Sequence, residues 1–326
     1  MSKRTRLFLA IAAGVLILGL GTGLVASYMG FQNFAIIGGG DPAEFTYLPS
    51  DARLVAYANV RDVMDSELRQ KLRRFQGGGD DGRAKIEAAT GVDVERDIDQ
   101  IFAAMSGAGG DLEQQRPLLL VRGRFDEVRI EGLVREQGGS VEDYKGERLL
   151  THSGANISLG FVEPGLVAVG TPASVRRAID TKSSGAGRMS ENADLMRLLH
   201  EVDDGNAWAV ARFDTLTSNA RLPADVASRL PPIGWFAASG HINGGIRGAL
   251  RAEARDETAA KDLRDVIRGF IALARMQTGQ RQDLADLMNS LELGGEGKTV
   301  SLGFEVPSAT LDALGSLRAG AENRNK

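Results

Sequence analysis

The chain has 326 residues, 43% of them hydrophobic and 25% charged, which is enough apolar material for a core and excludes wholesale disorder. The formal charge is −4, and setting aside Lys3, Arg4 and Arg6 makes the remainder more acidic still, so nothing favours general binding of nucleic acid. Cysteine is absent, which removes disulfides, thiolate chemistry and zinc–cysteine sites.

In chain order, residues 7–30 (LFLAIAAGVLILGLGTGLVASYMG) carry no charge. The apolar part spans about 22 residues, or roughly 33 Å as a helix, and so matches a hydrocarbon core of about 30 Å. Lys3, Arg4 and Arg6 precede it, and Asp41 and Glu44 are the first charges after it. Positive residues stay inside, so this predicts one crossing with a cytoplasmic N-terminus and an outer C-terminal part. A signal peptide cleaved near Val25 and Ser27 is the other reading, but the run exceeds a signal core of about 7–15 residues. Gly19, Gly21 and Gly23 lie two apart and do not form a GxxxG face.

Residues 31–46 read as a flexible tether around Gly38-Gly39-Gly40. RLVAYANV, residues 53–60, reads as a buried strand, followed by a helix over 63–75 and a glycine-rich loop. Residues 84–105 have a helical pattern broken at Gly91, with Val94, Ile98, Ile101 and Phe102 as its apolar stripe. Strands are expected at 116–125, 140–152, 157–162 and 166–170, with helices at 126–137 and 173–179. The second half predicts a helix at 192–200 and a strand at 207–213. It then has a hairpin, 235–242 and 246–254, turning at Asn243-Gly244. An amphipathic helix over 258–276, a helix at 283–291, a strand at 299–306 and a last helix at 309–317 complete it.

Two matches suggest an internal repeat: Ile157–Phe161 (ISLGF) echoes Val300–Phe304 (VSLGF), and the strand 54–60 has a counterpart at 208–213. Diverged copies and chance similarity both account for them. The expected fold is α+β, with antiparallel-rich sheets and helices on one face after an N-terminal transmembrane helix. The expected units are 1–30, tether 31–46, a first α+β unit 47–182, a second 183–320 and a disordered tail 321–326.

The search for chemistry returns no catalytic, cofactor or metal residues. His152, His200 and His241 are the three histidines, and none lies at ligand spacing from another. His200-Glu201 with Asp203-Asp204 reads as a helix end and a solvated loop. Asp93, Glu95, Asp97 and Asp99 alternate like a calcium loop, but Ile98 and Ala104 stand where a glycine and a bidentate glutamate are needed. Phosphate loops, dinucleotide fingerprints and GxSxG elbows are absent. Lys261, Arg264, Arg268 and Arg275 flank the apolar stripe of the 258–276 helix, a pattern that fits core packing or a surface for a membrane or partner.

The basic start, single span, Leu48-Pro49-Ser50-Asp51-Ala52 opening and strand VAYANV resemble a family of bacterial single-span membrane-anchored proteins of unknown function. Residues 53–72, 267–276 and 299–307 carry the likeness. It implies a bacterial envelope protein and contributes no active-site residues. The expected role is a non-enzymatic module that binds an envelope protein or component and uses no cofactor. The alternatives are a lipid or small-ligand carrier, with its pocket between the sheet and the 258–276 helix, and a hydrolase with a dispersed site.

Overall fold

The computed structural model describes residues 42–66, 91–107, 112–152, 154, 156–202, 205–212, 231, 233–243, 245–277 and 288–307. The predicted span, the last helix and most of the 283–291 helix lie outside them. Among the described residues no helix is long and apolar enough to cross a membrane.

The fold is α+β and is built on one twelve-stranded sheet, β11-β12-β10-β9-β8-β1-β2-β3-β7-β6-β5-β4. Every neighbouring pair in it is antiparallel. Its strands are β1 (Leu54–Asn59), β2 (Ile98–Met105), β3 (Pro117–Gly123), β4 (Ser140–Tyr144), β5 (Glu147–His152) and β6 (Ile157–Glu163). They continue with β7 (Leu166–Gly170), β8 (Ala207–Arg212), β9 (Ile233–Ile242), β10 (Gly245–Ala254), β11 (Glu292–Gly294) and β12 (Thr299–Pro307). The helices that position the site are α1 (Val60–Asp65), α2 (Val94–Asp97), α3 (Glu127–Glu136), α4 (Pro172–Ser184), α5 (Ala193–Val202) and α6 (Glu257–Gln277).

β1 and β8 pair at the centre, with Tyr57 opposite Trp208 and Ala58 opposite Ala207. Outward from this pair the order is β2-β3-β7 on one side and β9-β10-β12 on the other. The chain follows β3 with α3 and β10 with α6, so the two flanks are wired alike. The 54–60 and 208–213 strands therefore occupy matching places. The ISLGF/VSLGF echo does not: it joins β6 to β12, whereas β12 lies beside β10 as β7 lies beside β3.

Successive side chains of a strand point to opposite faces, and both faces here are covered. In β7, Leu166 and Ala168 join a core with Val175 and Ala178 of α4, Leu195 and Leu199 of α5, and Phe45, Tyr47 and Leu48. We term this the entry face. Val167, between them, points to the far face and packs with Ile130 of α3. On the other flank Ala252 and Val300 pack beneath Ala259, Ala260 and Leu263 of α6, also on the far face. Helices thus lie on both faces and not on one. A sheet whose central strands are apolar on both sides needs two covers.

The same double burial explains the largest departure from the sequence pattern. Residues 98–105 are not helical: after the single turn of α2, β2 buries Phe102 and Ala104 on the entry face and Ala103 and Met105 on the far face. A run that is apolar on both sides loses the period that separates strand from helix. Residues 140–152 form a hairpin, not one strand. Lys145 and Gly146 turn it with φ of 56° and 88°, the left-handed pair of a two-residue turn. The short helix expected at 173–179 extends to Ser184 and stops at Gly185, φ 73°.

Candidate functional site

Residues 43–46, read from sequence as the end of the tether, are part of the fold. Pro42 fixes the approach, and a 3-10 turn over Ala43–Thr46 buries Glu44 and Phe45. The Phe45 ring stands edge-on to Phe102 (5.9 Å) and Trp208 (6.3 Å), directly over the central strands.

Around this turn the described residues assemble a dense set of ionisable groups. The Glu44 carboxylate, 6% exposed, accepts from Arg122 Nε of β3. Arg122 Nη2 also lies 3.6 Å from Glu163 at the end of β6. The Tyr47 hydroxyl donates to Glu163 Oε1 at 2.9 Å and leans towards the Val162 carbonyl at 3.2 Å. Lys182 Nζ of α4 reaches Glu163 at 3.3 Å and Thr46 Oγ1 at 3.2 Å, and sits 5.1 Å above the Tyr47 ring. Two carboxylates therefore face two cations across the entry turn.

The protonation states follow from burial and from the partners in the cluster. Burial raises the Tyr47 hydroxyl well above the ordinary phenol range, and its hydrogen bond to Glu163 and the Glu163 charge add to this, so it stays protonated. Burial also pushes the Glu163 carboxyl up. The hydrogen bonds from Tyr47 and Lys182 and the Lys182 and Arg122 charges more than offset it, leaving Glu163 below its usual value. Glu163 is thus held as an ionised acceptor and Tyr47 as a protonated donor, each partnered within the cluster. What the arrangement does is hold the first folded residues after the tether against β3, β6 and α4.

A second polar node closes the β1–β8 junction. Asn59 Nδ2 donates to Asp62 Oδ2 (3.0 Å), and the Asn59 backbone N–H donates to the Asn206 carbonyl (2.8 Å). Burial raises the Asp62 carboxyl. The nearby Asn206 amide offsets part of that rise, although its geometry falls short of a hydrogen bond.

The groups singled out from sequence are not brought together. His152 ends β5, His200 lies on α5 and His241 on β9. Among the described residues no cluster of three histidine, aspartate or glutamate side chains could hold a metal. Asp93 caps α2, accepting from Glu95 N at 3.0 Å, and Asp97 accepts from Asp93 N at 2.8 Å. Asp99 pairs with Arg61 and with Arg124. Glu201 is held by Arg197 at 3.0 Å, and Asp203 and Asp204 lie outside the described residues. On α6, Arg264 and Arg275 donate to the carbonyls of Gly297 and Met288, and Arg268 pairs with Asp265.

Beneath the first half of α6, Ala252, Ala254, Ala259, Ala260, Leu263 and Val300 pack together, while Phe270 and Met276 further along are exposed. Neither of two cavities formed by described residues opens into that packing. One, of about 160 Å³, lies at the start of α4 between Ser106, Arg116, Leu118 and Ser174. The other, of about 310 Å³, lies at the start of α3 between Asp97, Arg124, Asp126 and Arg129. Both are at or below the small end of ligand sites. Glu44, Tyr47, Arg122, Glu163 and Lys182 were not singled out from sequence. Their ties span 78, 116 and 136 residues, with no local motif to mark them.

No protein-family model and no curated protein matches this chain. It is similar in fold to a solved structure, crystal form III of TP0453, with a TM-score of 0.50 and 11% identity over 85% of this chain and 98% of that one. Crystal form IV of TP0453 gives 0.47 and 12% identity over 85% and 96%. At such identity the likeness to crystal form III speaks to fold alone, and it is consistent with the continuous α+β sheet described above.

Proposed function

We propose that this chain is a membrane-tethered binding module of the bacterial envelope and not an enzyme, with residues 7–30 as an uncleaved anchor and the sheet domain outside. The observation that carries it is the partly buried ionic seat of residues 43–47. The chain enters the fold through a rigid, satisfied contact at the centre of the sheet, so a tether of about eleven residues, 31–41, fixes the domain within roughly 40 Å of the bilayer. A platform held that close suits capture of an envelope partner. The matching wiring of the two flanks supports reading the halves as diverged copies of one unit. The packing beneath the first half of α6 weighs against a carrier pocket there.

Cross-linking of the full-length protein in its native membrane, followed by affinity purification and mass spectrometry, tests the module. The expected result is one near-stoichiometric protein partner from an integral membrane fraction. Turnover of an ester, peptide or glycan substrate that one point mutation abolishes would overturn it. A mature N-terminus beginning near Tyr28 would overturn the anchor alone.

A further inference from the structure

The two flanks are wired alike but finished differently on the entry face. On the first, Leu118, Leu120, Leu166, Ala168 and Val162 form an apolar floor. α4 begins two residues after the end of β7 and covers that floor. On the second, the register of β9, β10 and β12 places Ser239, Ala249, Gly303 and Ser301 at the middle of the same face. Arg247 and Arg251 of β10 stand among them, as do His241, Glu305 and, from β11, the exposed Glu292 opposite Gly303. Among the described residues no helix lies over β10 and β12 on this face. α5 reaches only its near margin, where Arg197 Nη2 meets Glu253 at 2.8 Å.

Arg122, Arg176, Arg177 and Arg197 of the entry face are all in ion pairs. Among the described residues Arg247 and Arg251 make none, and Glu305, opposite Arg247 in register, forms no ion pair with it. Arg247 is exposed, while Arg251, Ser239, Ala249, Ser301 and Gly303 are half-buried. Small residues lower the floor, and α5 forms a wall about one helix diameter high beside it, roughly 10 Å.

We propose that this trough, the entry face of β9, β10 and β12, is where the module takes its partner, and that the occupant is a helix with acidic side chains seated as α4 is seated on the first flank. The inference rests on the reading of the chain as a binding module and adds where and what it binds. Arg247 and Arg251 are four residues apart on one strand, about 13 Å. Aspartates or glutamates two turns apart on a helix, about 11 Å, meet both. Small floor residues let the helix backbone approach the sheet.

The test uses the full-length chain in its native membrane with a photoreactive residue at Ala249, and in a separate preparation at Val128, exposed on α3 of the far face. The expected result is a protein adduct from position 249 that maps to an acidic helical segment and is absent from position 128. It should fall at least tenfold in an Arg247→Glu/Arg251→Glu variant whose thermal midpoint matches the parent. If that variant does not fold, Arg247→Gln/Arg251→Gln with a salt titration serves instead, and capture should weaken with both. A partner captured by whole-surface cross-linking but not from position 249 overturns this inference and leaves the module standing. No protein partner by any route overturns the module itself. An adduct to lipid, to residues 308–326 of the same chain, or to a partner indifferent to the charge changes also overturns the trough.

Discussion

Among the described residues the first flank of the sheet is covered on its entry face by α4 and the second carries no such helix, although strand order and the helix after the third strand agree between them. On the first, Leu118 and Leu120 look into α4, and Glu44 and Glu163 tie the entry turn to β3 and α4. On the second, serines, glycine and two arginines that make no ion pair among the described residues occupy corresponding places. One wiring plan thus gives one flank floored by leucines and another floored by small and charged residues.

That contrast predicts unequal sensitivity. Leu120→Ala, at a fully buried site, should lower stability by about 2–5 kcal/mol in urea titration. Ser301→Ala on the other floor should stay within about 0.5 kcal/mol. Equal losses would mean that the second floor is covered. Next in size, Glu44→Gln leaves Arg122 without its carboxylate, and we expect about 1–3 kcal/mol, discounted because Arg122 is part-exposed. A neutral result would remove the entry turn from the load-bearing set.

Two carboxyls divide the molecule by pH. Glu163 is held below its ordinary value of 4.5, so its contribution is present above that pH and is lost as the pH falls through the lowered value. Glu163→Gln should therefore flatten the acid side of the melting profile. Asp62 is raised above its ordinary value of 3.8, so its contribution is complete below that pH and is lost as the pH rises through the raised value. Asp62→Asn should gain on the parent at pH 7 and lose that advantage near pH 3.5. Calorimetric scans across this range check both signs. The smallest effect belongs to Arg247→Ala, which should move the midpoint by no more than about 0.5 kcal/mol whatever it does to partner capture.

Much of this fold was legible in the sequence. β1, β3, β6, β7 and the β9–β10 hairpin fall where alternation and turn residues place them, because Pro164-Gly165 and Asn243-Gly244 punctuate them. β2 was hidden by double burial. The β4–β5 hairpin was hidden because Lys145-Gly146 lacks the Asn-Gly signature. β11, three residues long, carries no period at all. The ionic seat could not be read, since Glu44, Arg122, Glu163 and Lys182 sit unremarkably in their own segments and meet only when the sheet is assembled. The trough was equally invisible: Arg247 and Arg251 look like any two polar positions of a half-exposed strand until the other flank shows what such a place can hold.

The pairing of β1 with β8 also sets a timetable. Leu54 must wait for Ala211, roughly 150 residues later, before its strand is hydrogen-bonded on that side. At about 5–20 residues per second of synthesis, that edge stays open for some ten to thirty seconds. β2 and β3 follow closely in the chain, so the first flank can zip up early while its innermost strand offers a free template. The nascent chain is therefore most prone to pairing with a neighbouring copy during that interval, and the arrival of residues 207–212 ends the hazard.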